Sequence, residues 1–182
     1  MRHLPNIICV LRIALIWPIV TGLWGGAFER TLALFVLAAL SDGLDGFLAK
    51  RFGWISRFGK MLDPLADKLL LVAVFLVLTW MGLVPRWLTV AAVARDVMIG
   101  VGALVFRIGW GPLHGQPIWS SKLNTLLQLL YVTLIIIHSA YGRPGHAVLD
   151  ALAMVTLLTI LISGFGYLRE FTQRALQVAA RA

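Results

Sequence analysis

Apolar residues fill six long runs, roughly Ile7–Leu23, Leu32–Ala49, Leu62–Met81, Trp87–Phe106, Leu123–Ile137 and Val148–Leu168, and charged residues, Gly and Pro collect between them. Each run lies near the about 20 residues that carry a helix across a bilayer. The pattern predicts six transmembrane helices. The first and fifth runs are the shortest, and tilt or local thinning of the bilayer is expected to match them. Arg107–Ser121, with Gly109, Gly111, Pro112, Gly115 and Pro117, reads as the longest connecting loop.

Composition sharpens this into an all-α integral membrane protein. A chain of 182 residues that is 60% hydrophobic and 13% charged, with mean hydropathy +0.89, is too apolar for a soluble domain and has length for one membrane domain, 1–182. Arg12 interrupts the first apolar run and no small-residue cleavage site follows, so the run is read as a retained helix and not a signal peptide. The single cysteine, Cys9, excludes an internal disulfide.

The basic residues orient the chain. With a cytoplasmic N-terminus, Arg2, Arg12, Lys50, Arg51, Arg57, Lys60, Lys68, Arg107, Lys122, Arg169, Arg174 and Arg181 fall on one side, against Arg30, Arg86 and Arg143 on the other. Both termini are therefore expected in the cytoplasm, the setting being a bacterial inner membrane. A net charge of +8 favours an anionic lipid surface. Nucleic acid is not expected as a partner, because the basic residues flank apolar runs instead of forming one soluble patch.

Four of the eight acidic residues, Asp42, Asp45, Asp63 and Asp67, sit in one short segment. Carboxylates are costly inside a membrane and repel one another, so such a group calls for a cation or a proton. Carboxylate oxygens suit Mg²⁺, Mn²⁺ or Ca²⁺, and the absence of nearby His or Cys argues against zinc. At about 100° per residue, Asp42, Asp45, Gly46 and Ala49 share one flank of a helix, and Asp63 and Asp67 share one flank of the next. Gly46 and Ala49 leave that flank free of bulk, and Gly59 is placed in the connecting loop. The simpler reading makes Asp63–Pro64 a helix N-cap and Asp42–Gly43 a turn. Capping does not account for four aspartates at these intervals, and the ligand pattern of an EF-hand is missing.

The run D-G-L-D-G-F-L-A-K-R-F-G-W-I-S-R-F-G-K-M-L-D-P-L-A-D resembles the signature D-x2-D-G-x2-A-R-x8-G-x3-D-x3-D of the CDP-alcohol phosphotransferases. All four aspartates and both glycines match, and Lys50 stands where the family has Arg, keeping the charge but losing the bidentate fork. The resemblance implies an integral membrane enzyme that moves a substituted phosphate from a CDP-linked donor to an alcohol and releases CMP. It implies that Asp42, Asp45, Asp63 and Asp67 hold two Mg²⁺ or Mn²⁺ ions, with Asp67 accepting the alcohol proton. Asp42, Gly46, Ala49, Lys50 and Gly59 would bind CDP, and a homodimer is also implied.

Polar residues beyond this segment bear on the acceptor. Arg95 and Asp96 fall inside the fourth apolar run, where ionisable residues mark functional sites. As neighbours on a helix they are expected to have separate partners. Arg95 is a candidate for an acceptor phosphate, with a salt bridge to another helix as the structural alternative. Lys122 and Asn124 open the fifth run and are the other acceptor candidates. Lys122 also has the option of snorkelling, and Asn124 and Gln128 form an i,i+4 pair. Asn6 and Arg12 are similar to an N-terminal P-N-x2-T-x2-R element in which Cys9 replaces Thr.

Together with D-P-L-A-D-K, A-R-D-V-M and S-K-L-N-T-x2-Q, these elements resemble the group of phosphatidylglycerophosphate synthases and CMP-forming cardiolipin synthases. The expected reaction is phosphatidyl transfer from CDP-diacylglycerol to phosphatidylglycerol, giving cardiolipin. Glycerol 3-phosphate is the alternative acceptor. A divalent-cation transporter is the alternative of another class, but it would need a through-going pathway, whereas this cluster sits at one membrane face.

Overall fold

The computed structural model describes residues 4–52, 59–110 and 119–179, with side chains described over 10–41, 68–106, 108–109 and 119–174. Among the described residues six helices follow one another: α1 (Leu4–Trp24), α2 (Phe28–Phe52), α3 (Gly59–Trp80), α4 (Arg86–Trp110), α5 (Trp119–Tyr141) and α6 (His146–Ala179). No strand occurs among the described residues. All six expected helices are present, and most run past the apolar stretches that announced them. Arg107–Trp110 and Trp119–Ser121 are helical, which corrects the boundaries of the expected long loop; residues 111–118 lie outside the described residues.

Three stretches, Arg86–Phe106, Trp119–Tyr141 and His146–Arg174, are long and apolar enough to cross a membrane; Val10–Trp24 and Lys68–Trp80 are shorter apolar helices among the described residues. The outward faces carry large apolar side chains, among them Leu37, Leu76, Val97, Leu126, Leu158 and Phe165, all exposed. Such surfaces are the mark of contact with lipid, not water.

The chain divides into two compact units, Met1–Val84 with Val132–Gly145, and Pro85–Tyr131 with His146–Ala182. In the first, α1 packs against both α2 and α3. Ile19, Leu23, Phe35, Val74, Phe75 and Leu78 are buried there. Lipid tails are as apolar as leucine, so helices associate in a membrane through close fit and hydrogen bonds, and small residues mark the contacts. Gly22 is one: a Cβ added there would overlap Thr31 Oγ1, which is pinned by its 2.9 Å bond to the Ala27 carbonyl. The α1–α2 corner closes as a helix cap, with Ala27 N donating to Gly22 O at 2.9 Å and Gly26 at φ +72°.

In the second unit α4 packs against α6. Gly102 on α4 admits the ring of Phe171, which stacks on Phe106 at 5.5 Å between centroids. Met98, one turn before Gly102 on α4, meets Gly164, two turns before Phe171 on α6. Contacts that advance together along both helices mean that α4 and α6 run in the same direction.

Candidate functional site

Asp42, Asp45, Gly46, Ala49 and Lys50 lie in the C-terminal half of α2, and Asp63 and Asp67 lie in the N-terminal half of α3. Continuous helix through both segments preserves the i,i+3 and i,i+4 spacings of the carboxylates. One expectation changes, and the simpler reading falls away. Gly59 is the first residue of α3 and not part of a loop, and no acidic residue falls in the first turn of α3. Asp63 is therefore not an N-cap, and Asp42–Gly43 is not a turn, since it lies within α2. The side chains of these residues are outside the described set. Among the described residues no group of three or more His, Cys, Asp or Glu is placed to hold a metal. An open cavity of about 350 Å³ lined by Gly26–Arg30, Ser139 and Ala140 lies at the opposite end of α2 from the aspartates, so it is not this site.

Arg12, on α1, is 1% exposed. A guanidinium so enclosed is retained only with acceptor oxygens around it. The helix that carries it packs on both aspartate-bearing helices.

The second unit holds a polar seam centred on Arg95. Arg95 is 4% exposed. Its Nη1 donates to Asp96 Oδ1 at 2.6 Å, and its Nη2 donates to Ser121 Oγ on α5 at 2.5 Å and Ser163 Oγ on α6 at 2.6 Å. The guanidinium also sits 6.0 Å from the centre of the Tyr167 ring. The expectation of separate partners for Arg95 and Asp96 is thus corrected. Their backbones point apart, but arginine is long enough to fold back onto its neighbour, and a buried guanidinium costs more alone than paired. Arg95 Nε has no partner among the described residues.

One turn along α5 from Ser121, Asn124 is fully buried, and its Oδ1 lies 3.1 Å from Thr159 Oγ1 on α6. Thr159 Oγ1 is also 2.9 Å from the Thr156 carbonyl, and its single proton serves one acceptor at a time. Asn124 Nδ2 has no partner among the described residues. Turning the amide over would pair Nδ2 with Thr159 and leave Oδ1 free instead, so one polar atom of this amide is open either way. Arg95 and Asn124, both acceptor candidates, therefore belong to one seam. Lys122 does not: it is exposed, about 200° round the helix from Asn124.

Ser121, Ser163 and Thr159 were not singled out from the sequence. Hydroxyls recur throughout apolar helices, and only the convergence of Ser121 and Ser163 on one guanidinium sets these apart. Ser163, beside Gly164 in an otherwise apolar run, was the available signal.

The CDP-alcohol phosphatidyltransferase family matches residues 2–165. A cardiolipin synthase (CMP-forming) of Streptomyces coelicolor is 38% identical over 120 residues, 63% of this chain and 54% of that protein, so the chain spans about half of that relative's length. The CDP-diacylglycerol–glycerol-3-phosphate 3-phosphatidyltransferase of Bacillus subtilis is 29% identical over 92% of this chain and 94% of its own length. A probable phosphatidylglycerophosphate synthase of Mycobacterium tuberculosis is 28% identical over 91% and 79%. A match over nearly the whole chain, on an all-helical structure whose α2 and α3 carry the four aspartates, leads to one assignment: the chain belongs to the CDP-alcohol phosphatidyltransferase family of enzymes.

Proposed function

We propose that the protein transfers a phosphatidyl group from CDP-diacylglycerol to a glycerol-type alcohol, in a metal-dependent reaction, with phosphatidylglycerol as the preferred acceptor and cardiolipin as product. The donor set fits hard divalent cations, being four carboxylates on two successive helices with the helical spacing intact. Asp42, Asp45, Asp63 and Asp67 would hold two Mg²⁺ or Mn²⁺ ions, which when bound would neutralise the donor pyrophosphate and ease departure of CMP.

The chain's own residues divide the rest of the work. Asp42, Gly46, Ala49, Lys50 and Gly59 hold the CDP moiety. Asp67 takes the proton of the acceptor hydroxyl as its oxygen bonds to the phosphatidyl phosphorus. The bond from that phosphorus to the bridging oxygen breaks, and the oxygen leaves with CMP. Arg95 and Asn124 hold the acceptor, with Lys122 as an outer contact for its phosphate.

The observation that favours phosphatidylglycerol is the pairing of Arg95 with Asp96 at 2.6 Å. The seam offers donors but little net positive charge, and the neighbouring Asn124 adds none. A phosphodiester with one charge suits it better than a phosphomonoester with two. The second reading, glycerol 3-phosphate, is favoured by the near-complete alignment with the Bacillus subtilis enzyme of that name.

In the membrane we place six spans with both termini in the cytoplasm, so that the aspartates open towards the cytoplasmic side of a bacterial inner membrane. A homodimer is part of the same proposal. The test supplies purified protein with limiting CDP-diacylglycerol, Mg²⁺ or Mn²⁺ and both acceptors together. Cardiolipin with stoichiometric CMP is expected. Predominant phosphatidylglycerophosphate would transfer the assignment to the second reading, and absence of CMP release would remove both.

A further inference from the structure

The seam continues beyond Asn124. Ser121 and Ser163 share Arg95, and Asn124 meets Thr159, so residue numbers rise along α5 as they fall along α6. The two helices are antiparallel in this register, and its next step sets Gln128 beside Thr156. Both are buried, at 3% and 0% exposure. Among the described residues Gln128 Nε2 and Thr156 Oγ1 have no hydrogen-bond partner, as is true of Asn124 Nδ2. A helical threonine commonly bonds the carbonyl one turn back, as Thr125 does to Ser121 O; Thr156 makes no such bond. Buried polar atoms are nearly always satisfied, so successive exceptions along one seam point to something that satisfies them when bound.

Its chemistry follows from the atoms. An amide and a hydroxyl, both uncharged, suit a neutral group that donates and accepts, namely a hydroxyl oxygen. Water and a glycerol hydroxyl share that chemistry. A glycerol-type acceptor has three polar features: its phosphate, its reacting primary hydroxyl and its secondary hydroxyl. In the proposed function Arg95 takes the phosphate and the primary hydroxyl is the reacting group, which leaves the secondary hydroxyl. Asn124 lies about 4.5 Å along the helix axis from Ser121, comparable with the step from a glycerol phosphate to its secondary hydroxyl. Long helical side chains lean towards the helix N-terminus, which carries the Gln128 amide back towards the level of Asn124.

We propose that Gln128 and Thr156, with Asn124, recognise the non-reacting secondary hydroxyl of the acceptor, which makes Gln128 and Thr156 specificity-determining residues. The identity of the ligand rests on the phosphatidyl-transfer reading; the open polar seam does not.

The test compares phosphatidylglycerol with phosphatidyl-1,3-propanediol, which keeps the phosphodiester and the primary hydroxyl but lacks the secondary one. If glycerol 3-phosphate proves to be the acceptor, 3-hydroxypropyl phosphate is the matching analogue. The wild-type protein is expected to favour the glycerol acceptor by about tenfold or more in kcat/KM, the worth of one well-made buried hydrogen bond. In Gln128→Leu and Thr156→Val that ratio should fall towards one, through loss of turnover on the glycerol acceptor alone, with KM for CDP-diacylglycerol unchanged. Thr156→Ser, which keeps the hydroxyl, should retain the preference. A wild-type ratio near one would overturn the proposal and assign these atoms to water. An equal fall on both acceptors in the variants would overturn it as well, showing that the pair only supports packing. No transfer to any of the four acceptors would instead remove the phosphatidyl-transfer reading on which the ligand rests.

Discussion

Replacing Arg95 by methionine tests the seam most directly. The substitution keeps an unbranched apolar stem and removes the guanidinium, so Asp96 loses a 2.6 Å partner and two serine hydroxyls lose their shared donor. The Arg95 and Asp96 side chains are 3% and 13% exposed, so solvent does little to replace the lost contacts. Breaking one side of a buried ion pair costs about 3–5 kcal/mol. For a chain of this size that corresponds to roughly 6–20 °C in apparent melting temperature. The assay is thermal unfolding of purified Arg95→Met in detergent beside the wild type. Arg95→Met combined with Asp96→Leu removes both charges, and should recover about 1–4 kcal/mol of the loss, since an apolar pair of similar volume carries no desolvation penalty. The double variant is then expected to be folded yet poor in acceptor use, with KM for the acceptor raised and KM for CDP-diacylglycerol kept. A single variant within about 1 kcal/mol of wild type would refute the described network. Unchanged acceptor KM in the stable double variant would refute the role of Arg95 at the acceptor.

Asp42→Asn, Asp45→Asn and Asp63→Asn should each abolish most metal-dependent CMP release while leaving membrane insertion intact, because asparagine keeps the shape and loses the ligand charge; normal release in all three would sink the metal assignment. Asp67→Asn should lower kcat by about 10²–10⁴-fold with less effect on donor KM, and an equal loss in metal binding would make it a ligand only. Asn124→Lys should move acceptor preference towards glycerol 3-phosphate, as measured by competition between the two acceptors; no movement would confine Asn124 to packing. Gly102→Ala should cost about 1–3 kcal/mol, because its methyl would overlap the Phe171 ring held against Phe106, and an unshifted melting curve would show that α4 and α6 do not approach this closely.

The helices were legible because an apolar run of membrane length must satisfy its own backbone, which helix does within one segment, and each expected run lies within or close to one observed helix. Their ends were not. The run ending near Leu168 marks where the sequence ceases to suit hydrocarbon, yet backbone hydrogen bonding continues to Ala179. Arg107–Trp110 looked like loop because it contains Gly109, but one glycine costs a helix only about 1 kcal/mol. The aspartates stood out because charge is rare in such a chain, and helix already under way at Asp63 removes its competing role as a cap. Arg95 was conspicuous for the same reason. Its partners were not, because Asp96 was set aside by a backbone rule that a long side chain evades, and serines 26 and 68 residues away have no local pattern to betray them.

The length of α6 has a consequence for the enzyme's surroundings. At 34 residues it spans about 51 Å, well beyond the about 30 Å of a hydrocarbon core. Arg169 and Arg174, the latter paired with Glu170, form a polar collar near its C-terminal end. Ser163, which holds Arg95, lies six residues below Arg169, about 9 Å along the same rigid rod. In the proposed orientation the collar rests in the headgroup layer, so the depth at which it settles also sets the depth of the Arg95 anchor. Bilayer thickness thereby becomes an input to the chemistry. In that orientation a thicker or thinner membrane shifts the helix as one body, and the seam proposed to receive the acceptor is carried up or down with it.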